Sequence, residues 1–523
     1  MSRTIFLLFL GALPIVSLLF ATPRDAWGQI NSPLAWFGLV ALVVCNILIL
    51  LAVALFARAR WAHRLVWLPL LALAVLFVGY AVGNGTAPGP ALFIAISHTN
   101  LGELKEVLPG LTRGYGAVFI LYLGLAAWVW LMPPASARDN RKLRVGILLA
   151  AVLLADFFLF SWAQWPQAFA RLVPAGAENL VFPGNVLSSA YNATQNDVYD
   201  FLSDEQRAFR FGAKSATPKE QPLRVVLVLG ESSAAQRWQL GGYERATNPN
   251  LAQLKQGKLV YFSNVFASST STRTAVPMII TRATPEKFEP ANQERSVISA
   301  FAETGFQTAW ISNQNRFPYS EEAASEVYLN PAWYENTKRY DADLLPFAFT
   351  QIQQHRRLFL LLHTMGSHID YRYRIPEYAR FFSTAADATL LDYYDDSIRY
   401  TDYLLYQIIE ELEKHPDVPA LIVYVSDHGQ DLELAKTGEP SQGQQRFAAT
   451  MAHIPALVWF NASYLKAWPD AAAALERTRN CARKQTQLFG TLLELGRIEL
   501  KQRPPALSDP DCGTQKRLIS SGN

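Results

Sequence analysis

Five apolar runs, each long enough to cross a bilayer, crowd into the first 164 residues of this chain, whereas charge concentrates after Arg171. A membrane-spanning helix needs roughly 17–25 predominantly apolar residues. Residues 4–21, 34–57, 65–82, 114–132 and 145–162 meet that requirement. This partition constrains the fold more than any single motif, because it divides 523 residues into a membrane part and an aqueous part. The first run has the length of a signal peptide. It lacks a strong small-x-small cleavage site and four more runs follow, so it is expected to be retained.

Basic residues orient the spans. Arg58, Arg60, His63 and Arg64 separate the second and third runs, and Arg138, Arg141, Lys142 and Arg144 separate the fourth and fifth. The other short loops hold only Arg24 in one and Lys105 and Arg113 in the other. The two clusters therefore belong in the cytoplasm, and an odd number of spans puts the C-terminal part outside. Trp162 and Trp165 suit an interfacial belt at the exit of the fifth span. Asp156, inside that span, is expected to face other helices. A net charge of +3 gives no argument for nucleic-acid binding. Cys45 lies in the second run, while Cys481 and Cys512 lie in the exported part, where a disulfide can form.

The expected organisation is a five-span helical bundle over residues 1–164, bridging helices and a polar linker over 165–222, and an α/β domain over 223–523. Strand candidates at 223–229, 308–311, 358–363, 420–426 and 456–460 alternate with helical patterns, as in a largely parallel sheet. Residues 394–413 form the clearest amphipathic helix, with Ile398, Thr401, Leu405, Ile408 and Leu412 at helical spacing.

Two of these apolar strands end in metal-ligating residues. The run 420–425 leads into Ser426-Asp427-His428-Gly429, and the run 225–229 into Gly230-Glu231-Ser232-Ser233. An α/β sheet places its ligands beyond strand ends, so the pair points to one metal site at one sheet edge. A third element, residues 268–277, is rich in hydroxyls and includes Thr272. A hydroxyl at a helix start gains from the positive dipole end, and backbone amides there hold phosphate oxygens. A cluster of N-capping hydroxyls is the alternative reading of that stretch.

Taken together, these motifs resemble those of the membrane-anchored phosphoethanolamine transferases of Gram-negative envelopes, within the alkaline phosphatase and sulfatase superfamily. The resemblance rests on the five-span anchor, Gly230-Glu231-Ser232, Gly242-Tyr243-Glu244-Arg245-Ala246-Thr247-Asn248-Pro249, Thr270-Ser271-Thr272 before Val276-Pro277, Gly366-Ser367-His368, Tyr400-Thr401-Asp402-Tyr403 and Ser426-Asp427-His428-Gly429. It implies a sulfatase-like catalytic domain in the periplasm, held by a multi-pass anchor in the bacterial inner membrane. It implies one zinc ion bound by Glu231, Thr272, Asp427 and His428, with Thr272 as nucleophile. Such a ligand set suits tetrahedral zinc, which activates a bound oxygen. The implied reaction moves phosphoethanolamine from phosphatidylethanolamine to lipid A or the lipopolysaccharide core through a covalent phosphothreonine. His368 is implied in substrate binding or the leaving group. Thr99 and Glu103, in Ser97-His98-Thr99-Asn100-Leu101-Gly102-Glu103, match the family's donor-binding segment. His363 stays open between roles, and a structural role is favoured for His453.

Three departures from the family stand out. Ala95 occupies the place of an Asn upstream of the donor-loop Thr. Residues 437–440 replace a region where many members carry a His, and none falls between His428 and His453. The resemblance therefore supports a first metal and leaves a second open. Ser268 and Met278 stand where many members pair cysteines. A phosphoglycerol transferase is the nearest alternative. A sulfatase is disfavoured, since no Cys/Ser-x-Pro-x-Arg motif surrounds Thr272. A regulatory protein with a degenerate site is disfavoured because Glu231, Thr272, Asp427 and His428 are all present.

Overall fold

The structure, a computed structural model, describes residues 202–254, 257–329, 339–369, 371–432 and 449–512, with scattered helical residues between 43 and 130. The five apolar runs, Ala95, Thr99, Glu103 and residues 437–440 fall wholly or mainly outside the described residues. Among the described residues no helix is long and apolar enough to cross a membrane. The larger of two compact units in the chain holds residues 100–106, 196–443 and 447–523.

Among the described residues of that unit, ten strands are present: β1 (Lys214–Ser215), β2 (Leu223–Gly230), β3 (Leu259–Phe266), β4 (Gln307–Ser312), β5 (Ser325–Tyr328), β6 (Arg357–His363), β7 (Ala420–Ser426), β8 (His453–Phe460), β9 (Arg483–Lys484) and β10 (Ile498–Glu499). Eight of them form one sheet in the order β5-β4-β6-β2-β7-β8-β3-β9. From β5 to β7 every pairing is parallel, whereas β8 runs antiparallel to both β7 and β3. The parallel sheet expected from the apolar runs is therefore its first part. Three strands of this sheet, β3, β5 and β9, were not among the strand candidates of the sequence. In β3, Ser263 and Asn264 interrupt the apolar pattern where a register shift separates Phe262 from Val265. Such a bulge breaks the alternation by which strands are recognised.

The helices that matter for the site are α1 (Asp204–Ala208), α2 (Pro249–Ala252), α3 (Thr272–Ile280), α4 (Val297–Glu303), α5 (Leu345–Gln354), α6 (Leu390–Glu413) and α7 (Leu488–Leu495). They cover both faces of the sheet. Val225, Leu227 and Leu229 pack with Ile279 of α3, Phe301 of α4 and Leu492 of α7 in one core. Val226 and Val228 pack with Ile352 of α5 and Ile398, Leu405 and Ile408 of α6 in the other. A strand buried on both sides needs a continuous apolar run, which explains the sequence of β2. The helix expected at 394–413 begins a turn earlier, at Leu390. Thr389 caps it by accepting from the Asp392 N–H while the Asp392 carboxylate accepts in return.

The polar stretch expected as a linker is stitched to this unit. The Gln206 amide of α1 donates to the Ala291 carbonyl at 2.9 Å, and β1 pairs with β10. Cys481 and Cys512 form a disulfide, which pins the chain after residue 509 beside β9.

Candidate metal centre

The centre is built from the register of β2 against β7. Gly230 lies opposite Ser426, so the residues that follow, Glu231 and Asp427, leave the sheet side by side. A Cβ on Gly230 would overlap the Tyr424 ring. Ser232 then takes φ of 57°, a left-handed conformation unusual for a residue with a Cβ and characteristic of sites where geometry is imposed. That turn aims its N–H at Asp427 Oδ1 (2.9 Å), and its hydroxyl donates to Glu231 Oε1 at 2.5 Å. One residue thus orients both carboxylates.

Asp427 Oδ1 also accepts from the His428 N–H at 2.7 Å. Its other oxygen, Oδ2, is buried with no hydrogen-bond partner among the described residues. His428 Nδ1 lies 2.8 Å from the Gly429 carbonyl. A carbonyl only accepts, so Nδ1 carries the proton and Nε2 presents its lone pair, as a metal-ligating imidazole does. Nε2 is 3.4 Å from both Glu231 Oε1 and Asp427 Oδ2. Ligand atoms of Glu231, Asp427 and His428 lie within 4.8 Å of one another. Leaving a buried carboxylate oxygen unpaired costs several kcal/mol, on the order of the desolvation of a polar group or more. A divalent cation between these atoms removes that cost, and one imidazole with two carboxylates suits zinc. Burial opposes the charged form of His428, but Asp427 and Glu231 outweigh it and raise its pKa, so a proton and a cation compete for the Nε2 lone pair in this anionic cradle.

Thr272 enters from the adjoining end of the sheet. It follows β3 as the first residue of α3, and its Oγ1 donates to Glu231 Oε2 at 2.9 Å. The helix start favours negative charge at this place. Gln314, just past β4, donates to the same Oε2 at 3.0 Å and to the Thr364 carbonyl at 2.6 Å. All four ligands expected from the motifs are therefore brought together.

His368 stands beside them. The Ser367 N–H donates to the Glu231 carbonyl at 2.9 Å, and a Cβ on Gly366, at φ of +43°, would come within 2.9 Å of that same oxygen. Asp341, buried, accepts from the Met365 and Gly366 amides at 2.8 Å each, which holds the loop in place. His368 Nδ1 lies 2.7 Å from the Ile369 carbonyl, so its Nε2 is also a bare acceptor. Burial and the neighbouring Arg374 push its pKa down to about 4. His363 is buried edge-on to Trp310 and Phe317, with both ring nitrogens unpartnered among the described residues. Burial lowers its pKa to about 4. His453 Nε2 bonds the Ser263 carbonyl at 2.7 Å, a backbone contact within the sheet.

A second set of residues holds the cradle from behind. The Tyr394 hydroxyl of α6 accepts from the Ala234 N–H and donates to the Ser232 carbonyl, both at 2.8 Å. The Ser233 N–H donates to Ser426 Oγ at 2.8 Å, joining the two strand ends. The motif at residues 242–249 grips the same helix. Arg245 pairs with Asp392 at 2.7 Å and with Asp395 at 2.9 Å, and Tyr243 donates to Asp395 at 2.9 Å. Asp402 accepts from the Asn250 and Leu251 amides at the start of α2 (3.0 and 2.9 Å). Motifs quoted for the family resemblance thus act here as a latch. Ser232, Gln314, Asp341 and Tyr394 carry no signal of their own in the sequence, apart from Ser232 adjoining Glu231.

Residues 224–498 match the sulfatase family. The chain is 28% identical over 312 residues to phosphoethanolamine transferase EptA of Escherichia coli (strain K12), covering 53% of this chain and 54% of that protein. It thus spans about half that relative's length. The structure resembles the integral membrane protein lipooligosaccharide phosphoethanolamine transferase A from Neisseria meningitidis, with TM-score 0.71 and 19% identity over 95% of this chain and 96% of that one. It also resembles the periplasmic domain of Escherichia coli EptC in complex with Zn, with TM-score 0.52 and 22% identity over 58% of this chain and 90% of that one. At these identities the two structures speak for the fold.

Proposed function

The chain belongs to the sulfatase family, and from that premise we propose that it is a zinc-dependent phosphoethanolamine transferase of the bacterial inner membrane, with its catalytic domain in the periplasm. The donor is phosphatidylethanolamine and the acceptor lipid A or another lipopolysaccharide-type glycolipid. The observation that carries this reading is the convergence of Thr272 with Glu231, Asp427 and His428, including an orphaned Asp427 oxygen and a bare His428 Nε2. The relatives named for this activity support the choice of group transferred.

Zinc held by Glu231, Asp427, His428 and Thr272 would lower the pKa of the threonine hydroxyl and offset charge on the phosphoryl oxygens. Glu231 Oε2, already bonded to Thr272 Oγ1, is the acceptor on the line along which the hydroxyl proton leaves. Thr272 Oγ1 forms a bond to the donor phosphorus. The bond to the diacylglycerol oxygen breaks, and that oxygen departs with a proton. Phosphoethanolamine remains on Thr272. An acceptor oxygen then attacks the same phosphorus and releases the threonine. The neutral His368 offers Nε2 to a hydrogen of either substrate, and the amide of Gln314 keeps Glu231 turned toward Thr272. Thr99 and Glu103 are assigned to the donor's headgroup, the Glu103 carboxylate as the opposite charge to its ammonium. Residues 1–164 are assigned as the five-span anchor, 165–222 as the bridge and 223–523 as the catalytic domain.

Purified protein in detergent, given phosphatidylethanolamine, should release diacylglycerol, and the Thr272→Ala variant should release none. Equal release by the variant would sink the mechanism. Release from phosphatidylglycerol instead would identify a phosphoglycerol transferase.

A further inference from the structure

Among the described residues of the larger unit, the exposed large hydrophobic side chains are Phe347, Tyr373, Tyr378, Phe381 and Tyr403. All are aromatic, and most come from the segment that follows the Gly366-Ser367-His368 loop or from α6 beside it. Tyr378 is 80% exposed and Phe381 56%. Single exposed apolar residues need no explanation, but a contiguous patch does.

One of these rings, Phe381, packs against an arginine, and a second arginine of the segment packs on the part-buried Tyr393. The Arg399 guanidinium lies 4.1 Å from the centre of the Phe381 ring, and that of Arg380 lies 5.4 Å from the Tyr393 ring. Arg380 Nε is buried with no partner among the described residues. Tyr403 stacks on Tyr400, with ring centres 6.0 Å apart. Residues 372–381 carry Arg372, Arg374 and Arg380 against a single acid, Glu377.

The segment and the helix that carry these side chains also contact the loop beside the metal centre. Arg374 Nε donates to the His368 carbonyl at 3.0 Å, and Ser397 of α6 donates to Ser367 Oγ at 2.8 Å.

We infer that this strip, formed by Tyr378, Arg380, Phe381, Arg399 and Tyr403, is the docking surface for the phosphorylated sugar headgroup of the acceptor. The inference rests on the transferase reading and gives it an acceptor site. Sugar rings present C–H faces of slight positive charge, which the negative faces of aromatic rings attract. Guanidinium groups bind phosphate by paired hydrogen bonds. Aromatic and arginine side chains, carried by elements that contact the loop beside the metal centre, match such an anionic glycan in both respects.

The test uses the full chain in detergent, with phosphatidylethanolamine as donor and a bis-phosphorylated glucosamine disaccharide lipid as probe acceptor. The variants are Tyr378→Ser combined with Phe381→Ser, and separately Arg380→Gln. Each should raise KM for the probe by about tenfold, the effect of losing one desolvated cation or ring contact, while diacylglycerol release without acceptor stays at the wild-type rate. An unchanged KM overturns the inference. Parallel loss of diacylglycerol release and of binding to phosphatidylglycerol vesicles also overturns it, in favour of a membrane contact. If the wild type releases no diacylglycerol, the transferase reading fails, and the strip as an acceptor site fails with it.

Discussion

The cradle at the strand ends and the latch on α6 both hold the chain that leaves β2, by different means. The cradle acts within residues 231–233 and the latch from Ser232 to Leu251. In the cradle, Asp427 leaves an oxygen without a partner, Ser232 sits at a strained φ, and acidic groups crowd together. In the latch, Tyr394, Asp395 and Asp402 are buried and engage partners about 150 residues away in sequence. Asp395 Oδ1 is also without a partner among the described residues, but the Asp395 carboxylate faces Arg237 and Arg245. Those of Glu231 and Asp427 pair with no Lys or Arg among the described residues. The cradle therefore has more to gain from a bound cation. Chemistry is therefore expected to live in the cradle and stability in the latch.

The sharpest way to break this division is to exchange the expected effects. Thr272→Ala should abolish turnover, since covalent catalysis has no substitute nucleophile, while thermal melting of the metal-free protein stays unchanged. In the latch, Asp395→Ala should leave Arg237 without its carboxylate and Arg245 with Asp392 alone and destabilise the fold by about 1.5–3 kcal/mol, as losing hydrogen bonds to a charged group does. Urea unfolding followed by circular dichroism measures it. A stable, inactive Asp395→Ala variant would move this residue from latch to cradle.

A finer cut separates strain from orientation. Ser232→Gly removes both the strained Cβ and the hydroxyl, yet it keeps the N–H that points at Asp427. It should melt no earlier than wild type when metal-free and bind zinc about 10–100-fold more weakly, the usual cost of losing an outer-shell partner. Unchanged affinity by competitive zinc titration would show that the hydroxyl does not orient Glu231.

The smallest effect concerns acidity. Burial lowers the pKa of His363 to about 4 from an ordinary 6.5, so the unfolded chain takes up its proton first as pH falls. Its contribution is complete above pH 6.5 and is lost progressively down to about pH 4, on the order of 3 kcal/mol at most. His363→Leu should flatten that part of the stability profile. A profile as steep as that of wild type would assign the acid sensitivity elsewhere.

The strand-end half of the cradle was legible in the sequence because Glu231, Asp427 and His428 follow apolar runs with the pattern of buried strands. Thr272 was picked out of its hydroxyl-rich stretch by the family resemblance alone. The latch was legible only as motif, not as mechanism. Arg245 and Asp395 are 150 residues apart, and nothing local in either announces the pairing. Ser232 looks like an ordinary turn residue until its φ is known. Gln314 depends on the neighbour order β4-β6-β2, which apolar runs alone do not set. β8 was expected at 456–460 but not its antiparallel direction, which is a property of topology. β3 was not expected because Ser263 and Asn264 break its apolar pattern at the bulge.

The most direct test of the central claim is intact-mass spectrometry of the protein after brief exposure to phosphatidylethanolamine, with and without zinc, followed by fragmentation. A single phosphoethanolamine adduct on Thr272, formed with zinc and absent after chelation, is the predicted result. An adduct on any other residue, or one formed at full rate without metal, would contradict it.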